Sequence, residues 1–190
     1  MRDRFRFHGG RISLAFAATW CGRYRADGYD QLAVPEDFGH WLQAAGLTVD
    51  APPVRPAELI QARELREATY RLVHPTTRDR PGRDDIDVVN LCAGHSGLRP
   101  VLGGDARSKR ILSAQPVRAC LAHLALDAID ILTGSLLEHV RECARHDCSI
   151  LFLDTSRAQQ RRWCDMSTCG NRTKVARHRQ RDRRVTSNTR

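Results

Sequence analysis

The sequence is short of lysine, of aromatic residues and of long apolar runs, and each shortage narrows what the chain can be. Only two of its 31 basic residues are lysine, Lys109 and Lys174. Its positive charge therefore sits on arginine, whose planar fork grips phosphate and guanine edges two bonds at a time. Aromatic residues make up 6% of the chain and hydrophobic residues 41%, enough for a core packed mainly by aliphatic side chains. No stretch reaches the roughly 18 consecutive apolar residues of a membrane span. A glycine-rich phosphate loop with its lysine is missing, as is a nucleophile elbow. His74, His95 and His123 are scattered, so no catalytic constellation forms and the chain does not read as an enzyme. Arg2, Arg4 and Arg6 precede an apolar run from Ile12 to Cys21. The one cleavage-like triplet, Ala15-Phe16-Ala17, falls inside that run rather than after it, which argues against a secretory signal.

What is present is concentrated near the C-terminus. The chain has seven cysteines, an odd number that does not suit a secreted disulfide framework. Cys21, Cys92 and Cys120 lie in apolar segments and read as small buried hydrophobes. The other four form two matched pairs, Cys143/Cys148 and Cys164/Cys169, each with four residues between its members and fifteen residues between the pairs. Two such loops offer four thiolates to one tetrahedral Zn²⁺, a closed shell with no position for a catalytic water. His146 and His178 are the alternative ligands. A redox switch that releases the metal is a further possibility, because zinc thiolates are nucleophilic.

Charge points to the same region. From Arg157 to Arg190 there are eleven basic residues and two acids, Asp165 and Asp182, so this segment alone carries the +9 of the whole chain. Such asymmetry implies a polyanionic partner for the charged end. A helix from about Arg172 to Arg184 would place Lys174, Arg177, His178 and Arg181 on one face. Arg157, Arg161, Arg162, Arg172 and Arg179 complete the candidate nucleic-acid-binding set. Ile150 and Phe152 would face one way and Leu151 and Leu153 the other, supplying the small core of the metal module. Trp163 reads as core, Gly170 as a knuckle whose backbone approaches a thiolate, and Asn171 as the cap of the following helix.

The whole chain of 190 residues is long enough for one or two domains. Phe5 to His8 alternates like a short strand closed by Gly9-Gly10. A buried helix is expected from Ile12 to Trp20. Pro35 followed by Glu36 and Asp37 starts a helix that Gly46 ends, and Pro56 starts a long one that stops before Pro75. Asp84-Asp85 opens a fourth, Arg99 to Leu112 reads as a hairpin, and Pro116 starts the most apolar helix, stopped by Gly134. Ser135 would cap a shorter helix through Val140. Cys143 would close a helix end. The expected fold is mainly α: a helical domain over 1–134 with one or two small β-hairpins, then a zinc-stapled α+β module over 135–184 and a basic tail over 185–190.

Cys169-Gly170-Asn171-Arg172, the Phe152-x-Asp154-x-Ser156-Arg157 segment and Arg161-Arg162-Trp163-Cys164-x-Met166 together resemble the CGNR zinc finger family. Gly9-Gly10-Arg11, the apolar helix after it, the Pro35-Glu36-Asp37 helix with Trp41-Leu42, and Leu65-Arg66-Glu67-Ala68 resemble the ABATE domain that precedes that finger. The resemblance implies a stress-induced bacterial transcription regulator, cytoplasmic and nucleoid-associated, with one structural Zn²⁺ and double-stranded DNA as partner. Asp154 enters as a supporting residue on the same ground. The helical domain would sense a small-molecule effector or form a homodimer. RNA binding, or a zinc module acting as a protein–protein adaptor, are the alternatives. One departure stands out: relatives carry Leu-Asp-Phe-x-Asn-Thr after the glycine pair, where this chain has Ala15 and Ala18 in place of the acid and the amide.

Overall fold

The computed structural model describes residues 4–95 and 99–175. Helices α1 (Ile12–Ala17), α2 (Pro35–Ala44), α3 (Pro56–Val73), α4 (Arg83–Ala93) and α5 (Pro116–Thr133) make the chain mainly α. Three antiparallel two-stranded pairs accompany them: β1 (Trp20–Cys21) with β2 (Tyr29–Asp30), β3 (Arg99–Leu102) with β4 (Lys109–Leu112), and β5 (Val140–Glu142) with β6 (Leu151–Leu153). Helices α3, α4 and α5 pack on one another, α1 lies across α3 and α5, and α2 rests on α3.

Proline and acid place the helix starts. Pro35 and Pro56 occupy first-turn positions, where a missing N–H costs nothing. Asp37 Oδ2 accepts from the Val34 amide at 3.0 Å, and Glu58 Oε2 from the Arg55 amide at 2.9 Å. Burial alone would push both carboxyls up; the amides and the guanidinium partners Arg4 and Arg55 hold them below their ordinary values instead.

The main core gathers Leu65, Leu121 and Leu124 with the rings of Phe5, Phe7, Phe16, Phe38 and Trp41. Phe16 meets Trp41 at 5.1 Å between ring centres and Phe38 at 5.7 Å, and Phe7 meets Trp41 at 5.9 Å. Aliphatic packing therefore surrounds one aromatic knot rather than filling the core alone. Under the β1–β2 pair lies a buried ion cluster. Arg66, 1% exposed, donates to both carboxylate oxygens of Asp30 at 2.6 and 2.9 Å, to Thr19 Oγ1 at 3.2 Å and to Glu67 at 2.8 Å. Arg23 adds a contact to Glu67 and lies 3.9 Å over the Tyr70 ring.

Several expectations need correction. Residues 5–8 form no strand: Phe5 is buried and Phe7 packs on Trp41, so the alternation served a core contact instead. The first helix stops at Ala17, and Trp20 already belongs to β1. Cys21 is half-buried, unlike Cys92 and Cys120. Ser135 begins a 3-10 turn, Ser135–His139, rather than capping a helix, and Val140 is in a strand. Cys143 follows that strand, so its pair closes a β-hairpin and not a helix end.

Two measurements test this frame. Removing one partner of a buried ion pair strands the other, so Asp30→Ala should lower stability by roughly 3 kcal/mol in urea unfolding; a loss within error would mean the Arg66 cluster is neutral. Asp37, Glu58 and Glu67 all have depressed folded-state values. Their stabilisation is complete above the unfolded carboxyl range of about 4 and is lost as pH falls through the lower folded values. Thermal unfolding should show a midpoint that drops steadily below about pH 4, and a flat profile there would contradict the assignment.

Candidate metal centre and basic surface

Strand β6 is extended at its start by a bond from the Cys143 amide to the Ile150 carbonyl at 3.0 Å, so Cys143 and Cys148 flank the hairpin turn. The Cys148 amide closes that turn on Arg145 O at 2.9 Å. Of the second pair, Cys164 precedes and Cys169 lies within a π-helical turn, Met166–Gly170, that runs directly into α-helical residues 171–175. Asp165 caps it, accepting from the Thr168 amide at 2.8 Å and from Ser167 Oγ at 2.5 Å. A bond from the Ala144 amide to Arg162 O at 2.8 Å ties the two loops together.

This brings Cys143, Cys148, Cys164 and Cys169 together as a buried group whose Sγ atoms all lie within 4.8 Å of one another. The Sγ–Sγ separations are 3.8 Å for Cys148–Cys164, 3.6 Å for Cys164–Cys169 and 3.8 Å for Cys148–Cys169. A tetrahedron with Zn–S bonds of about 2.3 Å has edges of about 3.8 Å, so the sulfurs already stand at metal-site spacing. They are far beyond the ~2.05 Å of a disulfide. The amides of Cys164 and Arg145 donate to Cys143, and that of Ile150 donates to Cys148. S–H donation from Cys148 and Cys164 holds the Cys143 thiol well below its usual range, while the same coupling pushes Cys148 and Cys164 up. A metal ion takes the place of those shared protons. Four thiolates close the shell, and the cluster holds one structural zinc. His146 is exposed and outside this group.

The supporting residues take distinct places. Phe152, fully buried, packs with Ile150 against the cysteines, and Leu151 and Leu153 turn to the helical body. Asp154 Oδ1 accepts from the Ser156 amide at 3.0 Å and Oδ2 from the Arg161 amide at 2.9 Å. Burial works against its charge, but these bonds outweigh it and hold the carboxyl below its ordinary value. Trp163 is half-buried beside the cysteine cluster, with Arg162 over its ring at 5.4 Å. Gly170 is not the expected knuckle: its amide bonds to Asp165 O at 3.1 Å, and an added Cβ would meet Met166 Sδ at 2.6 Å. Asn171 does not cap the following helix: it ends the π-helical turn inside the helical run, with its Nδ2 donating to Ser167 O at 3.2 Å.

Of the basic set, Arg157, Arg162, Arg172 and Lys174 are exposed. Arg161 is folded back: its Nε donates to Trp163 O at 2.9 Å, its Nη2 to Cys164 O, and its guanidinium lies 4.6 Å over the Phe152 ring. Arg177, His178, Arg179 and Arg181 lie outside the described residues. The sequence reading missed Arg145, which pairs with Asp147 and donates to the Cys169 sulfur. The signal was available, a charged pair between the first two cysteines. Ala15 lines a hollow with Phe7, Gly10, Ala44 and Ala45, and Ala18 packs into the cluster around the cysteines.

Residues 10–135 match the ABATE family model, described as "Putative stress-induced transcription regulator", and residues 139–182 match that of the CGNR zinc finger. No curated protein matches the chain. The first match spans more than half of the sequence, and the chain belongs to the ABATE family with a C-terminal CGNR zinc finger. Neither family description is that of an enzyme. No helix among the described residues is long and apolar enough to cross a membrane.

Metal analysis of protein purified under reducing conditions should give one zinc per chain. Cys164→Ser with Cys169→Ser should lose it while most of the far-UV helical signal persists, since α1 to α5 carry no ligand. A stoichiometry near zero in the unmodified chain would remove the metal reading.

Proposed function

We propose that this member of the ABATE family is a DNA-binding transcription regulator whose zinc holds an arginine-rich C-terminal segment against the duplex. The observation that carries the reading is the coincidence of staple and charge. The helical run that begins at Met166 contains the ligand Cys169 and leads straight into Arg172 and Lys174, and the segment from Arg157 onward holds the chain's entire +9. A cationic helix of that kind fits a major groove or lies along the phosphates. Arg157, Arg162, Arg172, Lys174, Arg177, His178, Arg179 and Arg181 are the proposed contacts. Arg161 is assigned to the scaffold, because its guanidinium is spent on the backbone carbonyls of Trp163 and Cys164.

Duplex DNA is favoured over RNA because RNA readers stack bases on exposed aromatic rings. In the zinc module Phe152 is buried and Trp163 is half-buried under Arg162. The helical body is proposed to carry sensing or dimerisation. An apolar hollow of about 340 Å³ between Leu72, Ile86, Val89, Ile129 and Leu132 offers it room for a small effector.

An electrophoretic shift assay over a range of salt tests this reading. Affinity for duplex should fall linearly with salt on a log–log plot. Arg177→Ala with Arg181→Ala should cut affinity roughly ten-fold or more and flatten the slope by about two. Unchanged binding by the double variant would displace the helix from the interface.

A further inference from the structure

The zinc module and the N-terminal segment share one cleft, of about 170 Å³, and it is lined by four arginines from two parts of the chain. Arg6 and Arg25 come from the segments on either side of α1, and Arg145 and Arg172 from the zinc module. Asp27 and Asp147 are the acids among the lining residues, and each is paired with an arginine, Asp147 through Oδ2, while its buried Oδ1 has no partner among the described residues. Asp27 receives Nε and Nη2 of Arg25, and Asp147 pairs with Arg145, with Arg25 a further 3.8 Å away. Arg145 also turns toward the Cys169 sulfur, offsetting thiolate charge at the cleft floor. Arg6 and Arg172 are left exposed, with no acidic partner among the described residues. Tyr29 adds a hydroxyl to the same wall.

Two guanidinium groups without counter-ions, presented across a narrow cleft by different parts of the fold, make an anion site. We infer that this cleft is a phosphate-binding site and that, with the zinc module on DNA, it clamps a backbone phosphate between Arg6 and Arg172. The inference rests on the DNA-binding reading for the source of that phosphate, but not for the chemistry of the cleft. It gives the N-terminal segment a direct role in the interface, so the helical body and the finger would bind as one surface. Arg6 positions the backbone and reads no base, because phosphate contacts carry no sequence information.

The test uses the full-length, zinc-loaded chain. Arg6 is exposed and makes no hydrogen bond or ion pair among the described residues, so Arg6→Ala should keep its zinc and its far-UV spectrum. Its duplex affinity near physiological salt should fall roughly five-fold, uniformly across sequences, and its log–log salt slope should flatten by about one. Arg172→Ala should do the same, and Arg107→Ala, at the exposed β3–β4 turn, should do neither. If Arg172→Ala weakens binding while Arg6→Ala matches the unmodified chain in affinity and slope, the finger grips DNA alone and the shared site is wrong. If the unmodified chain has no salt-dependent affinity for duplex, the DNA-binding reading fails. The cleft is then judged by titrating inorganic phosphate and pyrophosphate calorimetrically. Binding lost in Arg6→Ala assigns the cleft to a free phosphate ligand, and no Arg6-dependent binding overturns the inference.

Discussion

Strand β6 must serve two cores at once. Successive side chains of a strand point to opposite faces, and here both faces are buried. Ile150 and Phe152 close over the cysteine cluster, while Leu151 and Leu153 join Leu14, Ala17, Tyr70, Val73 and Ile131 of the helical body. A slip of one residue would exchange the two sets. Register is therefore fixed from both sides, and the Leu153 amide pins it further by donating to Gly9 O at 2.8 Å. The metal module hangs on this strand: its hairpin positions Cys143 and Cys148, and the bond from the Ala144 amide to Arg162 O ties the loop before Cys164 to that hairpin.

The metal and the helical body thus support the same element by different means. A unit as small as the zinc module buries too little surface to hold itself together, and ligation supplies the missing stability. Polar ties fix its orientation. Glu142, the residue before the first ligand, accepts from Tyr24 Oη at 2.6 Å and lies 3.2 Å from His74 Nε2. The Arg23 amide donates to Ser149 Oγ at 3.2 Å. These contacts link β5 and the turn before β6 to the C-terminal end of α3 and to the β1–β2 connection.

Much of the fold was legible. Pro35, Pro56 and Pro116 marked helix starts because proline costs nothing in a first turn, and helical spacing of apolar residues identified the buried faces of α2, α3 and α5. The alternation of Ile150 to Leu153 was readable as two faces, although not which face met which core. Local alternation misled at Phe5 to His8, where both rings are drawn into the core without a partner strand. Position in sequence misled at Asn171 and Gly170, because the helix begins five residues earlier at a turn capped by Asp165.

By itself the sequence determined the chemistry: four cysteines at matched spacing, net charge concentrated in the last segment, and the helix punctuation of the body. These are properties of residue type and short-range order, and short-range order survives without a fold. Only the tertiary structure decided which arginines are spent and which are free. Arg66 and Arg161 are held inside by carboxylates and carbonyls, while Arg6 and Arg172, more than 160 positions apart, meet across one cleft. The reason is that a charge is neutralised by whatever lies beside it in space, and for these residues the neighbours are set by packing rather than by the chain.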